Sequence, residues 1–339
     1  MNIRDIAIAL PAQRLDNKTI ARWTDGDEDF IKNKIGVESR AFLREDESMI
    51  DLSLQACEKL FEQNRDLARD QIGLLIVVTQ NPAYKIPHSS AILQNKLELS
   101  VNTACFDINL GCSGYVYALS VARALMLAEK IEEAVVVTCD PYSKIMGKAD
   151  YETCSVFGDA ATATRLSASR GAVIGRMDCG TDGAGAHHLM AKAGGSVTPH
   201  TGIWHANQAA AEQDDYHVQM NGRAIFNFMM KRVPSSVEAC LQENGLSLDN
   251  IDYFFFHQAS RYLIENLRDK MNLPPDKVPI EMENTGNTVS SSIPILIHNF
   301  MLSGLMQNKI CLICGFGVGL SWATNIIFFG GKYDTAGSN

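Results

Sequence analysis

Positive charge is in deficit in this chain: 30 lysines and arginines stand against 39 aspartates and glutamates, a formal charge of −9. That balance excludes a general nucleic-acid binder, although a local basic patch can still meet an acidic protein partner. Long apolar runs are also missing. No stretch reaches the roughly 18 uninterrupted apolar residues of a membrane span, and the opening "MNIRDIAIALPAQ" is too briefly apolar for a signal peptide. The nine cysteines are odd in number and irregularly spaced, which argues against a disulfide framework and for a reducing cytoplasm. No Pro/Gly/Ser-rich linker or low-complexity tract separates independent modules. A soluble cytoplasmic protein without membrane or nucleic-acid partners is expected.

What is present is ordinary globular material: 339 residues, 46% hydrophobic and 20% charged. Short apolar runs alternate with helical segments: "LLIVV" (74–78), "AVVVT" (134–138), "YFFF" (253–256), "ICLIC" (310–314) and "NIIFF" (325–329). They are continuously apolar rather than alternating, as strands covered on both faces by helices must be. An α/β class with layered sheets follows.

The chain also repeats itself. "RDQIGLLIVVTQN" (69–81) parallels "LDNIDYFFFHQAS" (248–260), "NLGCSGYVYALSVA" (109–122) parallels "NTGNTVSSSIPILI" (284–297), and "EEAVVVTCDPYS" (132–143) parallels "NKICLICGFGVG" (308–319). Three matches in one order predict a duplicated α/β unit, 1–170 and 171–339. Loops from the two copies then meet near a pseudo-twofold axis, which lets Cys112, His257 and Asn287 share one site.

Cys112 stands between glycines where a strand gives way to a helix. Free backbone N–H groups and the helix dipole there favour a thiolate nucleophile, and the glycines admit a substrate close to the backbone. His257 ends an apolar strand, where sites of α/β sheets commonly lie. Asn287 offers a carboxamide in a tight turn, and the glycine-rich "CGFGVGLSW" (314–322) offers N–H groups for an oxyanion. Other patterns carry less. "CLIC" (311–314) has its cysteines on opposite strand faces, and His187, His188, His200 and His205 lack carboxylates or cysteines at metal-ligand spacing. Met190 and Trp204 are candidates for the wall of a substrate entrance.

"DINLGCSGYVYALSVA", "VFGDAATA" (156–163), "FHQAS", "ENTGNTVSSSIP" and "GFGVGLSW", in this order and spacing, resemble the signatures of the β-ketoacyl-acyl-carrier-protein synthase III family of condensing enzymes. The resemblance spans nearly the whole chain. It implies a thiolase-like fold with a layered αβαβα architecture, and a homodimer that needs no metal or organic cofactor. Cys112 is then the acylated nucleophile, His257 and Asn287 bind a malonyl thioester, and the N–H groups of Cys112 and Gly319 form the oxyanion hole. Ile86, in "YKIPHSSA" (84–91), lines the acyl pocket of the other protomer. The implied reaction is decarboxylative condensation of an acyl thioester with a malonyl thioester, giving a 3-oxoacyl product.

Departures from the family pattern fall at the substrate end. Phe30 in "EDFIKNKIGV" stands where members carry an adenine-stacking tryptophan, and Tyr151 where they carry the opposing arginine. Lys34 is a neighbouring basic position; Ser260 replaces a second asparagine, and the following arginine is displaced to Arg261. These changes weaken the case for coenzyme A as primer carrier and favour acyl-carrier protein, which Lys34, Arg44 and Arg261 can meet. A non-decarboxylating acyltransferase on the same fold is the alternative, since its chemistry needs only Cys112. A thiolase would require a histidine where Asn287 stands. The order Cys, His, Asn also fits a papain-like cysteine hydrolase, which lacks its usual Cys-Gly-Ser-Cys-Trp setting and leaves the duplication unexplained.

Overall fold

The structure is a computed structural model and describes residues 1–169, 171–198 and 213–330. His200, Trp204 and His205 therefore lie outside the described residues. A ten-stranded sheet organises the chain: β1 (Asn2–Ala9), β2 (Ile72–Val78), β3 (Ala104–Ile108), β4 (Glu133–Cys139), β5 (Ala161–Ser167), β6 (Ala172–Ile174), β7 (Asp178–Thr181), β8 (Tyr253–Phe256), β9 (Ile310–Gly317) and β10 (Ser321–Phe328). The order is β8-β9-β10-β6-β1-β5-β4-β2-β3, with β7 against β10. Each predicted apolar run lies in a strand, except that Phe329 falls one residue past the end of β10.

The strand pairing occurs twice. β2–β4 is parallel, and β4–β5 and β5–β1 are antiparallel. β8–β9 is likewise parallel, and β9–β10 and β10–β6 are antiparallel. The two series touch at one short seam, where Asn2 and Ile3 of β1 pair with Val173 and Ala172 of β6. We propose the boundary between the two units at 170/171, between β5 and β6.

The principal helices fill the spaces between and outside the half-sheets. They are α1 (Asn17–Thr24), α2 (Met49–Gln63), α3 (Ser89–Lys96), α4 (Gly114–Ala128), α5 (Gly222–Glu243), α6 (Arg261–Lys270) and α7 (Ser292–Leu302). Strand periodicity divides each half-sheet between two cores. Leu74, Ile76 and Val78 of β2 join Phe255, Cys311 and Ile313 of the other half around α4 and α7. Leu75 and Val77 face α2 and α3 on one outer side, while Phe254, Phe256 and Leu312 face α5 and α6 on the other. The result is α-β-α-β-α, with α4 and α7 as the shared middle layer. Both middle helices are rich in apolar residues because both half-sheets cover them.

Polar groups still cross this apolar centre, several of them paired with one another across the halves. The Thr138 hydroxyl lies 2.7 Å from Thr162 and 2.8 Å from Ser291, and Ser113 lies 2.7 Å from Ser321. Backbone joins the halves as well: Gly158 N donates to Asn287 O (3.0 Å) and Asn287 N donates to Val156 O (2.9 Å). Gly158 must be glycine for this approach, because a β-carbon there would overlap the Thr285 carbonyl. We expect Gly158→Ala to lower unfolding free energy by about 1–3 kcal/mol, as overpacking does. Gly183→Ala, with open space around its site, should leave the urea midpoint unchanged. Equal midpoints for the two variants would contradict the close-approach argument.

Candidate active site

Cys112 lies in the loop between β3 and α4, two residues before the first helical residue, Gly114. A tight turn, Gly114 N to Gly111 O at 2.7 Å, holds it there. The end of β9 passes directly alongside. A β-carbon on Gly315 would overlap the Cys112 carbonyl, and one on Gly317 would stand 2.8 Å from the Cys112 sulfur. Glycine at these positions is what lets the second copy approach the nucleophile of the first.

The thiol is 5% exposed. Burial, and secondarily the charge of Asp140, push its pKa up to about 12, against the pull of the Val318 and Cys112 N–H groups. The standing thiolate expected from the helix terminus is therefore replaced by a resting neutral thiol. The helix start does not outweigh desolvation at a fully enclosed sulfur. Of the glycine-rich segment, the N–H directed at the sulfur belongs to Val318, one residue before the expected Gly319.

His257 continues the register of β8, its N–H donating to Cys314 O at 2.9 Å. Its ring is buried, lies edge-on to Phe316 (5.7 Å, 83°), and has Nδ1 2.8 Å from Ser292 Oγ. Burial drives its pKa down to about 3, so it works as a neutral imidazole. Asn287 is held by its backbone bridge to residues 156–158, and its Oδ1 accepts from Val289 N at 2.9 Å. That bond orients the carboxamide and leaves its NH2 as the free end.

Cys112, His257 and Asn287 line one cavity of about 870 Å³. Phe157, Leu189, Met220, Ile225 and Phe316 make its walls largely apolar, and Phe30, Tyr151, Ser260 and Tyr262 line it as well. Ser260 also caps α6, accepting from Leu263 N at 3.2 Å. Lys34, Arg261, Ile86 and Gly319 are not among the lining residues. Arg261 is paired with Glu283 at 3.2 Å, Lys34 is exposed, and Ile86 projects into solvent. Arg44 pairs with Asp46 and Glu47. Cys314 is buried outside the cavity, its sulfur accepting from Thr324 at 3.1 Å, so no second cysteine faces the first.

At the entrance the Phe30 and Tyr151 rings stand 6.5 Å apart and tilted by 45°. Tyr151 Oη donates to Asp27 O at 2.7 Å, and its ring fills the space a side chain at Gly26 would need. A third ring stacked between two others needs parallel walls about 7 Å apart, twice the contact distance. This pair does not provide them.

No pattern in the chain pointed to Asp140. Buried beside Cys112, it accepts from Gln80 N (2.7 Å), from the Ser290 hydroxyl and from Ser290 N (3.4 Å). It thereby fixes the loop between Asn287 and α7. Burial raises its pKa to about 6 from a normal 3.8, despite those donors. A raised carboxyl contributes stability that is full below pH 3.8 and lost as pH rises through 6. The stability of wild type relative to Asp140→Asn should thus fall by on the order of 3 kcal/mol between pH 4 and pH 7. Urea midpoints across that range test it, and a difference independent of pH would refute it.

A duplicated α/β unit with a buried cysteine facing a neutral histidine and an asparagine defines a thiolase-fold condensing enzyme. Residues 106–189 match the 3-oxoacyl-[acyl-carrier-protein] synthase III family, and residues 241–328 match the family's C-terminal domain. A β-ketoacyl-[acyl-carrier-protein] synthase III of Streptococcus agalactiae is 31% identical over 330 residues, covering 96% of this chain and 98% of that protein. The crystal structure of a 3-oxoacyl-(acyl-carrier-protein) synthase III superposes with a TM-score of 0.89 at 36% identity, covering 97% of this chain and 99% of the other. That of a 3-oxoacyl-(acyl-carrier protein) synthase from Burkholderia xenovorans gives 0.88 at 32%, covering 97% and 94%. The chain belongs to the β-ketoacyl-[acyl-carrier-protein] synthase III family. It is an acyltransferase that condenses an acyl thioester with a malonyl thioester with loss of carbon dioxide.

Proposed function

We propose that this condensation runs through an acyl-Cys112 thioester, with malonyl-acyl-carrier protein as the extender. The observation that carries the reading is the convergence of a buried thiol, a neutral imidazole and an oriented carboxamide on one apolar cavity. The acyl group moves from its carrier to the Cys112 sulfur, and the carrier leaves as a thiol. In the second half-reaction the malonyl C–C bond breaks, carbon dioxide departs, and the electron pair becomes an enolate. Hydrogen bonds from His257 and Asn287 to the thioester oxygen stabilise that charge, and neutral donors in a dry cavity suit the task. The enolate carbon then attacks the acyl-Cys112 carbonyl. The N–H groups of Cys112 and Val318 receive the oxyanion, Val318 taking the place expected for Gly319. The released Cys112 sulfur regains its proton from solvent.

Asn287→Ala should lose malonyl decarboxylation by about 10²–10³-fold, the cost of one oxyanion-type donor. Acylation of Cys112, read by intact mass and peptide mapping, should survive. Cys112→Ala should take up no acyl group. Label on Cys154 or Cys314 would overturn the assignment of the nucleophile. A wild type that never releases carbon dioxide from malonyl thioesters would favour the non-decarboxylating acyltransferase.

The entrance favours a protein carrier for the primer too. The tilted Phe30–Tyr151 pair leaves no parallel slot for adenine, and neither ring brings a charge for nucleotide phosphates. Arg223, an exposed cation on the cavity lining, suits an acidic carrier protein, and Lys34 is exposed next to the lining residue Ile35. For one acyl chain, kcat/KM should be higher on carrier protein than on coenzyme A. Phe30→Trp/Tyr151→Arg should shift the ratio toward coenzyme A, by up to about thirtyfold for a desolvated cation–π contact. A wild type that strongly prefers acyl-coenzyme A would end this reading.

The working unit is a homodimer. β3 is an edge of the sheet, and Tyr84 (61% exposed), Ile86 (86%) and Val101 (93%) stand exposed in the segments that flank it. An unpaired edge beside exposed apolar side chains suits a second copy, whose acyl pocket Ile86 then enters. All nine cysteines are free, which fits the cytoplasm.

A further inference from the structure

Neutral histidine has two tautomers, and they differ in what the cavity receives. With the proton on Nε2 the ring donates to substrate; with the proton on Nδ1 it presents only a lone pair. The proposed role of His257 in stabilising an enolate requires the first. The choice is made on the other side of the ring, at Nδ1, where the surroundings are protein.

One group is hydrogen-bonded to Nδ1: Ser292 Oγ, at 2.8 Å. Behind it stands the Val289 carbonyl, which can only accept and acts on the ring as an acceptor. Ser292 is the first residue of α7 and is buried. Its oxygen receives the Gln258 N–H at 3.3 Å, and the Val289 carbonyl lies 3.1 Å away. The hydroxyl therefore has one proton and two acceptors in reach, Nδ1 and Val289 O, and Nδ1 is the nearer. Among the described residues Ser292 is the one group hydrogen-bonded to Nδ1 that carries a proton to give it.

We propose that Ser292 is a positioning residue: its hydroxyl donates to His257 Nδ1 and so keeps the ring proton on Nε2, aimed at the substrate. The inference rests on the condensing function above, and it assigns His257 to donation throughout. With Nε2 protonated, His257 is not the group that takes the proton from Cys112. Replacing Ser292 by alanine removes the donor at Nδ1 and leaves the Val289 carbonyl as the acceptor on that side, which favours the Nδ1-protonated form.

The decisive measurement needs no variant for its main result. In full-length wild type with ¹⁵N-labelled histidine, the His257 signals, identified by their loss in His257→Gln, should show a protonated Nε2 and a bare Nδ1 between pH 6 and 8. Ser292→Ala should reverse the pattern, and malonyl decarboxylation should fall about 10²-fold while Cys112 acylation stays within a few-fold of wild type. Ser292→Thr, which keeps the hydroxyl, should restore the wild-type pattern. A bare Nε2 in wild type would overturn the proposal. So would a Ser292→Ala variant that loses both half-reactions equally or neither. Absence of carbon dioxide release by wild type would instead overturn the condensing role, and the nitrogen signals would still decide the tautomer.

Discussion

The chemistry depends on how closely two copies of one α/β unit approach at a dry centre. Backbone-to-backbone contact between Gly158 and Asn287, and between Gly315 and Cys112, brings the second copy's loops against the first copy's nucleophile. Such contact is tolerable only where no side chain intervenes and every polar group finds a partner. The hydroxyl pairs Thr138–Ser291 and Ser113–Ser321, and the Asp140 carboxyl on Ser290, meet most of that second demand with groups from opposite halves, the Thr288 hydroxyl being left without a partner among the described residues. Folding the two halves together and building the site are thus the same event.

A dry centre decides the charge states of the reacting groups. Enclosure raises Cys112 to about 12 and lowers His257 to about 3, so both are neutral at rest. Charge arises only as the reaction proceeds, first on the tetrahedral oxygen and then on the enolate. In the proposed reaction that charge meets fixed dipoles: the N–H groups of Cys112 and Val318, the Asn287 carboxamide and the His257 ring. Donors that are neutral and immobile need no reorganisation when charge develops, and low surrounding polarity strengthens each of them. A standing thiolate would have to be held in place by a compensating cation, whereas the charge acting on Cys112 is the carboxyl of Asp140, which disfavours it.

Much of this was legible in the chain itself. Continuously apolar runs marked the buried strands, and the repeated order of strand, turn and helix marked the duplication, because both reflect covering on two faces. Cys112, His257 and Asn287 stood out because each ends a strand or opens a helix beside glycine. The charge state of Cys112 did not show, since a helix start is local while desolvation comes from the distant segments 140 and 315–318. The one-residue difference between Val318 and Gly319 is a matter of backbone direction within a glycine-rich turn, which spacing does not encode. Ser292 was hidden among three consecutive serines: Ser290 serves Asp140, Ser291 serves Thr138, and only the third faces the imidazole. Lys34 and Arg261 were near the site in sequence pattern, yet exposure and the pairing with Glu283 turn them to solvent.

The entrance obeys a different constraint from the centre. Phe30 and Tyr151 belong to short helical turns, Glu28–Phe30 and Tyr151–Cys154, that contribute nothing to the sheet. The second is anchored to α1 by Arg40, a fully buried guanidinium that donates to Asn17 Oδ1 at the start of α1 and to Ser155 O at the end of the Tyr151 turn, each at 2.9 Å. Among the described residues no carboxylate is in ion-pair contact with it and its Nε is unpartnered; burial lowers its pKa to about 10, with Asp16 acting against that fall. A cation held only by neutral acceptors in the interior tolerates little displacement, because each lost bond leaves buried charge unsolvated. The anchor is therefore rigid while the side chains it presents are free to differ. Substitution at 30 and 151 can therefore reshape this part of the cavity lining without moving Cys112, His257 or Asn287.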